Sequence, residues 1–366
     1  MNKRVLVVFG TRPEAIKMAP VVNELKNRDG VEPIVCVTAQ HRAMLDQVMK
    51  VFNITPDYDL DIMEQGQSLA KITTKVLKGF EEILKKERPD LVLVHGDTTT
   101  ALAACLAAFY QQIPIGHVEA GLRTYNKYSP FPEEMNRQMI DCMADCLYTP
   151  TNQSKDNLEK KLNKGQRIVV TGNTAIDALK QTVSSDYRHE ALDWADNKRI
   201  ILLTAHRREN WGEPMHRIFQ AIRRIVAENE DVAVIYPVHL NPIVKEAAEE
   251  AFSNEERVLL INPLDVLDFH NFMKRAYIIA SDSGGVQEEA PSLGKPVLVL
   301  RDTTERPEGV AAGTLKLVGT NEEEIYTSLT DLLNNRESYA EMAHSQNPYG
   351  DGFASRRIVD DIVTFL

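Results

Sequence analysis

"RVLVVFGTRPEAIKMAP", residues 4–20, runs an apolar stretch of strand length into a single glycine and then, at once, into what reads as a helix. Thr11 or Arg12 would cap that helix, and Pro13 suits its first position because proline brings no N–H to a turn that lacks acceptors. The free N–H groups and the helix dipole there favour an anion. Arg12 and Lys17 add positive charge within reach. The second and third glycines of a dinucleotide fingerprint are absent. The junction therefore reads as a seat for an anion other than a dinucleotide, against the plainer alternative of a strand–helix turn with solvated charges.

The same alternation continues along the chain. "RVLVVFG", "PIVCVTA", "DLVLVHGD", "IPIGHVEA", "CLYTP" and "RIVVTG" alternate with helical stretches such as 15–27, 69–86 and 100–110. Near-continuous apolar strands separated by helices predict a parallel sheet covered on both faces. The apolar runs pause over residues 173–195. A second series follows: "RIILLTAH", "VAVIYPVH", "RVLLINP", "YIIASD", "PVLVL" and "LKLVG". The expected fold is α/β, with two doubly wound, Rossmann-like domains. They are placed at 1–172 and 173–352, with an amphipathic C-terminal helix over 353–366 returning to the first. Such sheets bind ligands outside the carboxyl ends of their strands, and two of them are expected to face a cleft.

At 366 residues the chain has room for two domains, and its hydrophobic content of 43% is that of an ordinary globular protein. The net charge is −11, which argues against a nucleic-acid binder. It does not exclude an anionic substrate, since a few basic side chains govern one site locally. No apolar run approaches membrane-spanning length. The start of the chain reads as a first strand rather than a signal peptide. Cys142 and Cys146 stand one helical turn apart, but nothing beside them completes a metal site. Reduced, buried thiols, no metal and a cytoplasmic protein are expected.

Several residues at strand ends could carry chemistry. "LVLVHGDTTT" places Asp97 after a strand, before a helix capped by Thr98 or Thr99. "IGHVEAGLRT" places Glu119 at the end of the next strand. "SPFPEEMNRQM" puts Glu133 and Glu134 in the first turn of a helix behind Pro132. "LLTAHRREN" puts His206 at the end of the first strand of the second half. Singly, each fits a cap or a dipole charge. Together, three carboxylates and a histidine at strand ends suit acid/base work, with neighbouring carboxylates held in different protonation states. In "SDSGGVQEEAPSLGKP", Ser283, Gly284 and Gly285 open a helix where backbone can approach a phosphate closely. Glu289 follows on the same helix, placed to take a ribose diol. Phe269 could stack a base, or simply fill the core.

At these residues the chain resembles a known family. "GTRPEAIKMAP", "HGDTTT", "GHVEAGLRT", "PEEMNR", "HRREN" and "SDSGGVQEEAPSLGKPVLVLRDTTERPEG" stand in the order seen in the non-hydrolysing UDP-N-acetylglucosamine 2-epimerases, across essentially the whole chain. The resemblance implies the two-Rossmann architecture shared with GT-B glycosyltransferases, a homodimer, and no cofactor. It implies interconversion of UDP-GlcNAc and UDP-N-acetylmannosamine. UDP is eliminated to a 2-acetamidoglucal and then added back, which would supply ManNAc units for a surface polysaccharide.

By motif position, Asp97, Glu119 and Glu133 resemble the acid/base carboxylates, and His206 the residue beside the diphosphate. Arg12 and Lys17 would neutralise phosphates. Ser283, Gly284, Gly285 and Glu289 resemble the diphosphate and ribose contacts, and Phe269 the uracil-stacking position. Some members bind a second UDP-GlcNAc as an activator. Gln40, His41, Gln67, Glu133, Arg207 and His239 match parts of that allosteric site. Ala43 stands where a longer polar side chain is typical, and Gly66 where an arginine is.

A GT-B glycosyltransferase would share the fold but usually needs one base rather than three carboxylates. A hydrolysing epimerase often carries a fused kinase domain and diverges in the carboxylate motifs, which are intact here. A non-catalytic UDP-sugar binder would have no use for the acid/base set.

Overall fold

The structure is a computed structural model that describes residues 2–38, 42–64, 66–159, 163–304 and 306–366. The chain divides into two units, Met1–Gln181 with Tyr349–Leu366, and Thr182–Pro348. Their junction at 181/182 lies beyond the 172/173 expected from the pause in apolar runs. The helix Thr174–Thr182 accounts for the difference. It buries Ala175, Ala178 and Leu179. Its Asp177 accepts hydrogen bonds from the N–H groups of Ala354 and Ser355, at the start of the final helix Ala354–Phe365. That final helix packs on the helix Arg12–Lys26 of the same unit.

The first unit holds β1 (Lys3–Phe9), β2 (Val31–Val37), β3 (Tyr58–Asp59), β4 (Leu91–His95), β5 (Ile115–Val118), β6 (Cys146–Thr149) and β7 (Arg167–Val170). They form one sheet in the order β3-β2-β1-β4-β5-β6-β7. Every pairing in it is parallel. The two-residue β3 is too short and polar to stand out as an apolar run.

Val5 to Phe9 and Leu91 to Val94 are buried because helices cover both faces of the sheet. The helix Leu69–Glu87 turns Ile72, Val76, Phe80 and Ile83 inward, one stripe at helical spacing. The helix Thr99–Tyr110 packs beside it on small residues, Ala101, Ala104, Cys105 and Ala108.

The second unit holds β8 (Arg199–Thr204), β9 (Val232–Pro237), β10 (Val258–Ile261), β11 (Ile278–Ser281), β12 (Val297–Val299) and β13 (Leu315–Leu317), in the order β10-β9-β8-β11-β12-β13. All of these pairings are parallel too. Its core is built where the helix Glu213–Glu228 lays Met215, Ile218, Phe219, Ile222 and Ile225 against the sheet, beside Tyr236 and Phe252.

In each sheet the strand order reverses once, between β1 and β4 in the first and between β8 and β11 in the second. At such a point neighbouring connections leave in opposite directions and open a crevice at the carboxyl ends of the strands. The loops leaving these four strands carry Gly10 to Lys17, Gly96 and Asp97, His206, and Asp282 to Gly285. The fold thus brings Arg12, Lys17, Asp97, His206, Ser283, Gly284 and Gly285 to the strand exits where doubly wound sheets bind ligands.

No helix of the described residues is long and apolar enough to cross a membrane. All four cysteines are free. Cys36, Cys105 and Cys146 are buried, but Cys142 is exposed, contrary to expectation, on the outer side of its helix.

Candidate active site

The β1 exit corrects the first reading of the sequence. Thr11 is the N-cap, and its side chain accepts from the Glu14 N–H. The Glu14 carboxylate reaches back and accepts from the N–H groups of Gly10 at 3.0 Å and Thr11 at 2.8 Å. This reciprocal capping box satisfies donors that were expected to face a ligand. Thr98 Oγ1, at the β4 exit, donates to the other Glu14 oxygen at 2.6 Å. Glu14 is 2% exposed, so the anion at this helix start is the chain's own. Gly10 is required by close approach. A Cβ there would lie 2.0 Å from Thr38 Oγ1.

The β4 and β5 exits place two of the three carboxylates. Asp97 follows Gly96, and the next residue, Thr98, caps the helix Thr99–Tyr110 by accepting from the Ala101 N–H. Asp97 is fixed from the helix Glu133–Met143. Asn136 Nδ2 donates to its carbonyl at 2.9 Å, and Arg137 pairs with its carboxylate at 2.6 Å.

Glu119 follows β5 in the left-handed region, with φ of 68°. A non-glycine residue held there costs about 1–3 kcal/mol, which the surroundings must offset. Lys17 Nζ donates to both Glu119 oxygens at 2.8 Å, and His95 Nε2 lies 2.7 Å from Oε2. Burial pushes the Glu119 carboxyl up, but the charges of Lys17 and His95 outweigh it and hold the group well below the usual carboxylate range. In this arrangement Glu119 is an anion clamped by two basic groups.

Glu133 and Glu134 divide their tasks. Glu134 is fully buried and accepts from the N–H groups of Thr124 and Tyr125. Glu133, the first residue of the helix, is half-buried, and among the described residues its carboxylate has no hydrogen-bond or ion-pair partner. A buried histidine supports the Asp97 turn from below. His117 contacts the Gly96 carbonyl and Asp141, each at 2.7 Å, and Arg123 pairs with the second Asp141 oxygen at 2.7 Å.

In the second unit the β8 and β11 exits are tied together by Asp282. It is fully buried and accepts from the N–H groups of His206 and Arg207 and from Asn210 Nδ2. His206 Nδ1 lies 3.0 Å from its other oxygen. Burial pushes the Asp282 carboxyl up, but His206 and these N–H donors more than compensate and hold it below its ordinary value. Thr204 and Ser281 hydroxyls bond at 2.6 Å beneath the same junction. His206 Nδ1 thus lies at ion-pair distance from Asp282. On one face the ring stacks on His239, centroids 5.6 Å apart and planes 12° from parallel. Burial and the nearby His206 lower the His239 pKa.

Ser283 is the N-cap of the helix Gly284–Glu289, whose first N–H groups have no intrahelical acceptor. Arg306 lies against this turn. A Cβ on Gly284 would come within 2.8 Å of its guanidinium, which Glu288 holds at 2.8 Å through Nε. Phe269 is half-buried on the helix Val266–Arg275.

Of the residues matched to a second ligand site, Gln40 and His41 lie outside the described residues. Among the described residues, the buried Gln67 Oε1 has no hydrogen-bond partner. Arg207 is anchored to Asp282 through its N–H and its Nε. Among the described residues no group of three or more His, Cys, Asp or Glu side chains is placed to hold a metal ion.

A family model described as UDP-N-acetylglucosamine 2-epimerase matches residues 23–363. The chain belongs to the UDP-N-acetylglucosamine 2-epimerase family. It is 62% identical to the UDP-N-acetylglucosamine 2-epimerase of Bacillus subtilis, over 98% of this chain and 95% of that one. The crystal structure of a putative family member from Listeria monocytogenes superposes with a TM-score of 0.95 at 56% identity, covering 100% and 97% of the two chains. The Neisseria meningitidis epimerase, solved bound to UDP-GlcNAc, gives a TM-score of 0.88 at 50% identity, covering 99% and 100%. The likeness extends through both sheets, so the α/β architecture of two parallel, Rossmann-like sheets is the family's own.

Glu14, His95, His117, Asn136, Arg137, Asp282 and Arg306 were not singled out from the sequence as site residues. All seven stand inside the motifs that were quoted. Apart from the local capping box of Glu14, they bond to residues outside their own turn, which a linear reading does not show.

Proposed function

We propose that this epimerase-family chain interconverts UDP-N-acetylglucosamine and UDP-N-acetylmannosamine without releasing free sugar. The observation that carries the reading is the set of three carboxylates in the first unit, two at strand exits and one at a helix start, each in a different setting. Asp97 is paired with Arg137, Glu119 is clamped by Lys17 and His95, and Glu133 has no cationic partner among the described residues. Carboxylates whose surroundings differ in this way can divide proton removal and proton delivery between them.

In this reading a carboxylate removes the C2 proton as the C1–O bond breaks and UDP leaves with the bonding pair. UDP then returns to C1 of the 2-acetamidoglucal while a second carboxylate delivers a proton to the opposite face of C2. A proton on a carbon beside an acetal centre is a poor acid. Its loss is feasible only if the departing diphosphate is stabilised by positive charge. His206, whose Nδ1 lies 3.0 Å from Asp282, and Arg12 are assigned to that task. Ser283, Gly284 and Gly285 hold the diphosphate, Glu289 the ribose diol, and Phe269 the uracil. The resemblance also supports a homodimer, which light scattering would test. The ManNAc unit would enter a surface polysaccharide.

Proton NMR of the protein with UDP-GlcNAc in D2O tests the reading. Deuterium at C2 together with UDP-ManNAc is expected. UDP with free ManNAc would assign a hydrolysing epimerase, and no exchange at C2 would remove the acid/base role of the carboxylates.

A further inference from the structure

His270 is buried to 2% exposure on the helix Val266–Arg275, and the reaction described above does not use it. Its Nδ1 lies 2.6 Å from Thr182 Oγ1. Its Nε2 lies 3.7 Å from Glu289 Oε2. That separation is within ion-pair reach but beyond a hydrogen bond, so the ring faces the carboxylate electrostatically. The other Glu289 oxygen, Oε1, faces the glycine turn, 3.9 Å from where a Cβ on Gly285 would stand. One oxygen is therefore turned toward His270 in the interior and the other toward the glycine turn at the helix start.

The next residue, Asn271, secures the same segment. Its Nδ2 donates to the Thr182 carbonyl at 2.8 Å, and its Oδ1 accepts from the Ser184 N–H at 2.9 Å. Thr182 is the first residue of the second unit. The helix that presents Phe269 thus also fastens the segment through which the chain enters this unit, and through His270 it reaches Glu289.

We infer that His270 is a positioning residue for ribose recognition: oriented by Thr182, it holds Glu289 Oε2 so that Oε1 is presented to the ribose diol of a uridine diphosphate. The inference rests on the reading of Glu289 as the ribose contact. The part of the affinity that depends on the 2′-hydroxyl should follow His270, while the part due to the diphosphate should not. Asparagine at 270 can reproduce the Nδ1 side of the ring but not the Nε2 side; glutamine reaches the Nε2 position and should rescue.

The experiment is calorimetric titration of the full chain with UDP and with 2′-deoxy-UDP. The proteins are wild type, Glu289→Ala, His270→Asn, His270→Gln and Thr182→Val. The readout is the ratio of the two dissociation constants, which is insensitive to any unfolded fraction. Wild type is expected to prefer UDP by about tenfold, as one hydrogen bond to a carboxylate implies. Glu289→Ala should abolish the preference. His270→Asn and Thr182→Val should lose most of it, and His270→Gln should retain it. Loss in Glu289→Ala with a wild-type ratio in His270→Asn would overturn the inference and leave the ribose contact standing. A wild-type ratio in Glu289→Ala would instead overturn the ribose contact itself.

Discussion

The ammonium of Lys17 sits 2.8 Å from each carboxylate oxygen of Glu119, and only 14% and 9% of the two side chains are exposed. Little solvent screens this pair, so Lys17 has a direct hold on the protonation of Glu119. Lys17→Met removes the larger of two basic influences, and the Glu119 pKa then rises. If ionised Glu119 is needed for turnover, activity is lost as pH falls through that pKa. The acid limb of kcat/KM against pH should therefore move upward. A limb that stays in place would separate Glu119 from the rate-determining proton transfer.

Removing the charge from each carboxylate should separate binding from chemistry. Asp97→Asn, Glu119→Gln and Glu133→Gln should each bind UDP within a few-fold of wild type. Their turnover should fall by about 10²–10⁴, the usual range for loss of a general acid or base. Isotope exchange at C2 is the measurement. A triple variant that still turned over would remove all three from the mechanism.

Asp282 joins the β8 and β11 exits through several donors at once, so its removal should register in stability as well as activity. Asp282→Asn can keep an amide oxygen toward the His206, Arg207 and Asn210 donors, but it removes the charge they bond to and turns an N–H₂ toward His206 Nδ1. The expected cost is about 2–4 kcal/mol, read from urea unfolding. The Asp282 carboxyl is held below its ordinary pKa in the fold. Its contribution is therefore complete above the unfolded-state value near 4 and is lost as pH falls through the folded value. The gap between wild type and variant should narrow on acidification.

Glu14→Ala leaves the N–H groups of Gly10 and Thr11 without their acceptor and removes half of the capping box. Loss of the cap and two unsatisfied donors together should cost about 2–4 kcal/mol. A variant that unfolded at the wild-type urea concentration would show that water replaces the carboxylate freely.

Gly10→Ala should destabilise by about 1–3 kcal/mol or more, because its Cβ meets the Thr38 hydroxyl. In a Thr38→Ala background the same substitution should cost much less. Equal costs in both backgrounds would place the strain elsewhere.

The strand–helix alternation was legible because buried parallel strands are apolar on both faces and their helices carry one apolar stripe. The junction of the two units lies past 172/173 because Thr174–Thr182, which reads like a connector, packs with the first unit. Its membership is decided by contacts from Asp177 to residues at the far end of the chain. Asp97, Glu119 and His206 could be picked out because each stands at the end of an apolar run. What each one pairs with could not. The Lys17–Glu119 pair joins the helix after β1 to the end of β5, and Arg137 reaches Asp97 from a later helix. The β1 turn shows the same limit. "TRPE" carries a capping box in plain sight, Thr11 with Glu14 three residues on, yet its basic residues point equally to an external anion. Nothing in one dimension says that the carboxylate folds back rather than facing solvent.

Glu14 has a consequence for ligand selectivity. A doubly wound sheet with an open first turn is a general seat for pyrophosphates, and abundant cellular dinucleotides compete for any such seat. By filling the turn with its own side chain, the first sheet gives up that capacity and keeps only its charged side chains for recognition. Under the proposed function, inhibitors aimed at this half would draw affinity from side chains such as Arg12, since Glu14 already holds the N–H groups of Gly10 and Thr11. Compounds that imitate dinucleotide pyrophosphates should find no purchase there.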